Sequence, residues 1–494
     1  MSGFNRLIKN SLSNIINGFS NVILGVVISP FLINTLSLHD FSIWSLVIQI
    51  GAFFTLLSFT CQISVARFVT LARAELNAKK ELLVIKYGIY FSLACTLLSV
   101  IVLSYVYNNF FSLFNAIKID ESPYAPGVFL IISLSFVFGL IVSVYNGYFT
   151  GIERNEIPAI INLISRVFLG VGVCIAASYS MMAMAFTYLT INVVSYLVIY
   201  ITYLRSKNFI QKNNNLIKEF TFKKFLNYSS GVLVFNLSSF LIINLNGIIV
   251  GRYVFNQYAY YALSVTLTTM IVGFINAGLT PVLQPLIKIC HSDDKVKLDG
   301  FVFILSMSIL KLSIFFILGC LIFGKVALDI WIGPDVAMHT YPVFLFLLLV
   351  NFSRLIGAPL GLVYLAKGKQ NEIMFLPLLE GVTSVLLTFL FVNKYGIYSS
   401  SIAIAISTLI IMAIYTFRLI DIAALNTSKI KYRCLFAFGP LIMMSCFYVL
   451  IKTKISLHSE IFNISFYMLL TILLIVVSFL LVKEVRKIKS ILEG

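Results

Sequence analysis

Charge is the scarcest property of this sequence: 11% of its 494 residues are Asp, Glu, Lys or Arg, and only 19 are acidic. Other absences remove whole chemistries. The seven cysteines (Cys61, Cys95, Cys174, Cys290, Cys320, Cys434, Cys446) contain no C-x-x-C pair, so neither a disulfide frame nor a zinc site is supported. Gly324-Lys325-Val326 and Gly368-Lys369-Gln370 lack the hydroxyl and the spacing of a P-loop, which argues against ATP hydrolysis. Asp-x-Asp does not occur, and the four histidines (His39, His291, His339, His458) are too scattered for a metal site. The external connections, the longest at about 107–125 and 324–340, leave no room for a folded domain.

What remains is mostly hydrocarbon, with 60% of residues hydrophobic. A membrane-spanning helix needs about 20 predominantly apolar residues. The pattern therefore predicts an all-α integral membrane protein of about fourteen transmembrane helices, at 13–35, 41–65, 87–106, 127–149, 158–178, 181–203, 227–250, 258–284, 301–323, 341–365, 373–392, 397–418, 434–451 and 461–482. A β-barrel is excluded, because its strands alternate apolar and polar residues with a period of two. The first apolar stretch is too long for a signal-peptide core and has no small-residue cleavage site, so it reads as a retained helix.

The net charge of +17 is mainly an orientation signal and does not point to nucleic acid. With the N-terminus inside, most of the 36 Lys and Arg fall in cytoplasmic connections. Only Lys118, Arg252, Lys325, Lys394, Lys452 and Lys454 fall outside. That asymmetry is the positive-inside rule, and an even number of helices then places both termini in the cytoplasm.

Two weak internal matches share one chain offset to within a residue. Tyr148-Phe149-Thr150-Gly151 with Arg154-Asn155-Glu156-Ile157 pairs with Tyr364-Leu365-Ala366, Gly368 and Gln370-Asn371-Glu372-Ile373; Phe41-Ser42-Ile43-Trp44-Ser45-Leu46 pairs with Tyr258-Ala259-Tyr260-Tyr261-Ala262-Leu263. The expected organisation is an N-terminal six-helix bundle at 1–204 and a polar linker at 205–226. A second six-helix bundle follows at 227–420, then two additional helices and a tail at 421–494. Six helices per half is even, so the halves form a parallel repeat, and such carriers bind substrate near the bilayer midplane between the repeats.

Asn17-Gly18-Phe19, Pro30-Phe31-Leu32, Phe41-Ser42-Ile43-Trp44-Ser45-Leu46 and Gly151-Ile152-Glu153-Arg154 resemble the corresponding segments of bacterial polysaccharide repeat-unit translocases. These are the O-antigen flippases of the multidrug/oligosaccharidyl-lipid/polysaccharide exporter superfamily. The resemblance covers 1–420. It implies two bundles in a V around a cavity, in the bacterial inner membrane. It further implies movement of an oligosaccharide on undecaprenyl diphosphate from the cytoplasmic to the periplasmic leaflet, with a polymerase and glycosyltransferases as pathway neighbours. No cofactor is implied; coupling to H+ or Na+ stays open.

Three basic residues, Arg166, Lys311 and Arg354, lie deep in predicted spans, with Glu380 the one acidic residue at comparable depth. A charge at the bilayer centre costs about 2.5–3.5 kcal/mol even on the mildest scale, so a surplus of cations points to an anionic, transient counter-charge. Arg166 suits a diphosphate or acidic sugar; Glu380 reads as a gate or coupling site, or as a structural ion pair with Arg354. Lys311, among Ser306, Ser308 and Ser313, is either a point charge in the cavity or a packed neutral lysine. Arg354 precedes Gly357 and Pro359, where a broken helix can line a cavity. Asn244 and Asn246 are the amides best placed to meet sugar hydroxyls; Asn21, Asn351 and Arg67 are weaker candidates. The bland reading of such amides is interhelical hydrogen bonding, worth about 0.6 kcal/mol on average. Two other readings remain. A cation-coupled multidrug exporter predicts interior carboxylates in the first half, and a membrane glycosyltransferase or polymerase would use Asp40 in the first external connection.

Overall fold

The computed structural model describes residues 25, 27–206, 220–279, 286, 289–290, 295–366, 375–414 and 470–480. Among these, all regular structure is helical. The main helices are α1 (Leu38–Ala74), α2 (Ala78–Asn108), α3 (Ala125–Gly151), α4 (Glu156–Ala177), α5 (Met181–Ser206), α6 (Phe222–Phe240), α7 (Asn246–Tyr253) and α8 (Tyr258–Leu279). They continue as α9 (Lys295–Ile332), α10 (Pro334–Leu355), α11 (Ala358–Ala366), α12 (Phe375–Tyr395) and α13 (Ser399–Ile414). Ten helical stretches among the described residues are long and apolar enough to cross a bilayer. One of them, Phe375–Ile414, is the antiparallel pair α12 and α13, folded back at Gly396, whose φ of +54° suits glycine. As far as the described residues reach, predicted spans two to twelve thus each fall on helix, spans seven and ten on two helices apiece. Span one is described at 25 and 27–35, span thirteen lies outside the described residues, and span fourteen is described over Leu470–Leu480.

The chain divides into two compact units, Met1–Ala262 and Leu263–Gly494. This boundary falls beyond the polar connection 205–226, of which 207–219 lie outside the described residues. The reason is visible in unit one. Segment 222–253 runs antiparallel along α1, with Arg67 4.3 Å from the ring of Tyr228, Asn236 Nδ2 donating to Thr60 Oγ1 (3.0 Å) and Gln49 Nε2 donating to the Ile243 carbonyl (3.3 Å). The Tyr258 hydroxyl donates to Gln49 Oε1. The junction of α6 and α7 is a π-helical turn, Leu241–Leu245, an irregularity often found at functional sites.

Helix α1 is held on two sides by glycine pairs one turn apart. A Cβ on Gly147 would lie 2.6 Å from the Gln62 carbonyl oxygen, and one on Gly151 2.7 Å from that of Ala66. Across the unit, Gly247 and Gly251 of α7 make room for Gln49 and Leu46. Small residues four apart let helix backbones approach where lipid removes the hydrophobic drive to associate, and Thr70 Oγ1 uses that closeness to donate to the Gly151 carbonyl (2.9 Å). Gly151→Val is expected to lower the stability of the purified protein by about 1–3 kcal/mol through overpacking, read as a lower melting temperature; an unchanged melt would mean that α1 and α3 are not clamped there.

The segment Gly151-Ile152-Glu153-Arg154 closes α3. Glu153 takes a left-handed φ of 59°, its N–H donates to the Thr150 carbonyl, and the Arg154 N–H to that of Phe149 (2.8 Å). Helix α1 ends identically at Leu76 (φ 50°), with the Asn77 N–H on the Ala72 carbonyl (2.9 Å). These are Schellman caps built without glycine. Asn77 then caps the next helix, its Oδ1 accepting from the Lys80 N–H.

Candidate functional site

Helix α4 places Arg166 by its period. Ile160, Ile164, Phe168, Val171 and Ile175 form one stripe, each more than half exposed. Arg166 lies on the opposite side, in line with the buried Ala159, Gly170, Val173 and Ala177. It is half-buried and within electrostatic reach of Tyr196 on α5. No described carboxylate lies within ion-pair distance of it.

Arg354 is placed differently. Its Nε donates to Glu380 Oε1 at 2.7 Å, and Thr408 Oγ1 donates to the same oxygen at 3.0 Å. Its Nη1 reaches Asn351 Oδ1 at 3.4 Å, while Asn351 Nδ2 donates to the Leu347 carbonyl. The ion pair bridges α10 and α12, with Thr408 added from α13. Of the two readings open for Glu380, the structural pair with Arg354 is the contact observed. The absence of a counter-charge therefore no longer argues for Arg354 as an anion site. Lys311 is half-buried on α9, close in sequence to the fully buried Ser306 and Ser313.

Asn244 is half-buried in the π turn, and the fully buried Asn246 donates from Nδ2 to the Ile242 carbonyl. Arg67 is exposed over Tyr228. Asn21 lies outside the described residues. The candidates thus fall in both units, Arg166, Asn244, Asn246 and Arg67 in the first and Lys311, Asn351, Arg354 and Glu380 in the second.

Sequence reasoning missed a second buried pair. Glu81 is fully buried on α2, and its Oε1 accepts from Arg73 Nη2 of α1 at 2.7 Å; the same nitrogen donates to the hydroxyl of the buried Tyr148 on α3 (3.2 Å). Each unit therefore contains an arginine–glutamate pair joined by a hydroxyl from a third helix. The available signal was helical phase, since Glu81 shares a face with the buried Val84, Ile85 and Gly88. Glu81 lies in the connection between the predicted spans 41–65 and 87–106, outside the stretches where interior charge is expected.

Asp40 is equally structural. It accepts from the Tyr124 hydroxyl, joining the start of α1 to that of α3. Burial, followed by this bond to Asp40, pushes the Tyr124 phenol up to about 12.

Packed apolar helices, with buried arginine–glutamate pairs between them, give the described residues the build of a multi-pass membrane protein. Solved structures agree on the fold. The lipid II flippase MurJ in an inward closed conformation superposes with a TM-score of 0.67 at 16% identity, covering 97% of this chain and 99% of that one. An inward-facing multidrug-resistance MATE family transporter of the MOP superfamily gives 0.59 at 12% identity, covering 87% and 96%. A MOP superfamily transporter from Pyrococcus furiosus gives 0.51 at 11%, covering 89% and 96%. At these identities the likeness concerns fold alone. Comparison with curated proteins yields no match. The sequence profile of polysaccharide biosynthesis proteins matches residues 7–291, more than half of the chain, and the chain belongs to that family.

Proposed function

We propose that this protein is a flippase. It carries a polyprenyl-diphosphate-linked oligosaccharide, an O-antigen or related repeat unit on undecaprenyl diphosphate, from the cytoplasmic to the periplasmic leaflet of a bacterial inner membrane. The family and the transporter fold support a carrier in polysaccharide synthesis. The observation that carries the anionic cargo is Arg166, a half-buried guanidinium on the inward side of α4 with no described carboxylate beside it. A planar guanidinium pairs with phosphate oxygens two at a time. Lys311 offers a further point charge to an anionic cargo, and the half-buried Asn244 an amide to its sugars; Asn246, fully buried with its Nδ2 on the Ile242 carbonyl, does not face a cavity. Transport follows alternating access, with both termini in the cytoplasm. The carrier performs no covalent chemistry.

A cation exporter of the same fold needs interior carboxylates in the first half. Glu81 is one, but Arg73 already neutralises it.

The test is translocation itself. Proteoliposomes holding the purified chain and a fluorescent polyprenyl-diphosphate oligosaccharide should expose label to an external quencher faster than protein-free vesicles. A polyprenyl carrier bearing a neutral headgroup should not move. Equal rates for both lipids, or none above the protein-free background, would overturn the assignment.

A further inference from the structure

Helix α2 is the least buried of the ten apolar spans, and the side it presents is ordered along its length. Lys79, Leu82, Lys86, Tyr90 and Leu97 recur at helical spacing and are all exposed. The stripe starts with two lysines, passes an aromatic ring and continues as hydrocarbon to the exposed Tyr105. From Lys86 to Tyr105 the rise is about 28 Å at 1.5 Å per residue, close to a bilayer core of about 30 Å. Lys86 and Tyr105 are therefore spaced to reach opposite interfaces.

The lysines of this segment are sorted by face. Lys80 is buried, with its Nζ 2.7 Å from Glu75 Oε2 and 5.8 Å from the centre of the Phe220 ring. Lys79 and Lys86 point the other way, and no described carboxylate lies within ion-pair distance of either. The Lys86 ammonium instead lies 5.6 Å from the centre of the Tyr90 ring. An orientation rule accounts for how many cations stand at this end of the helix, but not for two of them sharing one stripe with the lipid-facing leucines.

We infer that the outer side of α2 is a binding site for an anionic glycerophospholipid, distinct from the cargo site. The headgroup phosphate is held between Lys79 and Lys86, about 10.5 Å apart along the axis. Its acyl chains lie along the apolar stripe, and Tyr90 marks the glycerol level, where aromatic rings concentrate. Two lysines near an anionic surface favour it about five-fold each, so roughly thirty-fold together.

The test uses the full chain in a Trp44→Phe, Trp331→Phe background with a reporter at Leu93→Trp, an exposed position just past Tyr90 on the acyl side. It is reconstituted into phosphatidylcholine vesicles titrated with brominated phosphatidylglycerol or brominated phosphatidylcholine. The reporter should prefer phosphatidylglycerol by several-fold to thirty-fold. Lys79→Gln with Lys86→Gln should bring the ratio close to one, as should molar salt, while Arg205→Gln on α5 leaves it unchanged. A reporter at Leu97→Trp, quenched by both lipids in every variant, verifies that α2 still faces lipid. Equal quenching of the Leu93→Trp reporter by the two lipids, or a preference that survives loss of both lysines, would overturn the site.

Discussion

Arg166→Ala is expected to remain in the membrane and to lose most surface polysaccharide, with the lipid-linked intermediate accumulating on the cytoplasmic side. The side chain stands on the inward side of α4 with no described acid to leave behind, so its removal strands no buried charge. A charged hydrogen bond to phosphate contributes about 1.5–3 kcal/mol. Cargo affinity in proteoliposomes should therefore fall about 10- to 150-fold. Arg166→Lys keeps the charge but not the two-pronged geometry and should recover only part of the activity. Lys311→Ala should weaken transport in the same direction and by less, since an ammonium acts as a single point of charge. Wild-type display from both alanine variants would remove the cationic cargo site from the mechanism.

Glu380 should respond in the opposite way, through stability before transport. Its Oε1 takes hydrogen bonds from Arg354 and Thr408, tying α10, α12 and α13 together. Removing one member of a buried ion pair leaves the other charge uncompensated, at a cost of about 3–5 kcal/mol. Glu380→Ala and Arg354→Ala should each lower the melting temperature sharply and reduce protein recovered from membranes. Replacing both together, Arg354→Met with Glu380→Leu, should restore much of the loss, because an apolar pair of similar volume is often as stable. The double variant separates the roles. If it is stable and transports, the pair is a clasp. If it is stable and inert, the charges act on cargo or coupling ion. Full stability of Arg354→Ala alone would show that the pair does not hold unit two together.

The pairing at Arg354 was visible in sequence only as one of two alternatives. Arg354 and Glu380 stand 26 residues apart on different helices, and spacing cannot say whether those helices bring them to one level. The Arg73–Glu81 pair was harder to see because a short connection with several cations looks solvated until its helical phase is checked. The glycine pairs on α3 and α7 were legible in principle, since Gly147 and Gly151, like Gly247 and Gly251, are four apart. What they close against, the carbonyls of Gln62 and Ala66 on one side and Gln49 on the other, belongs to a helix about a hundred or two hundred residues away.

By itself the sequence determined the membrane class, the helical fold and the placement of spans two to twelve. Each follows from local runs of apolar residues that must satisfy their own backbone hydrogen bonds in lipid. It also placed three basic residues and one acidic residue within the predicted spans. Tertiary structure alone decided which of those cations is already neutralised, which side of α4 carries Arg166, and that segment 222–253 packs along α1. Those outcomes depend on which helices come together, and a chain coded locally for spanning a bilayer leaves that to close contacts between residues far apart along it.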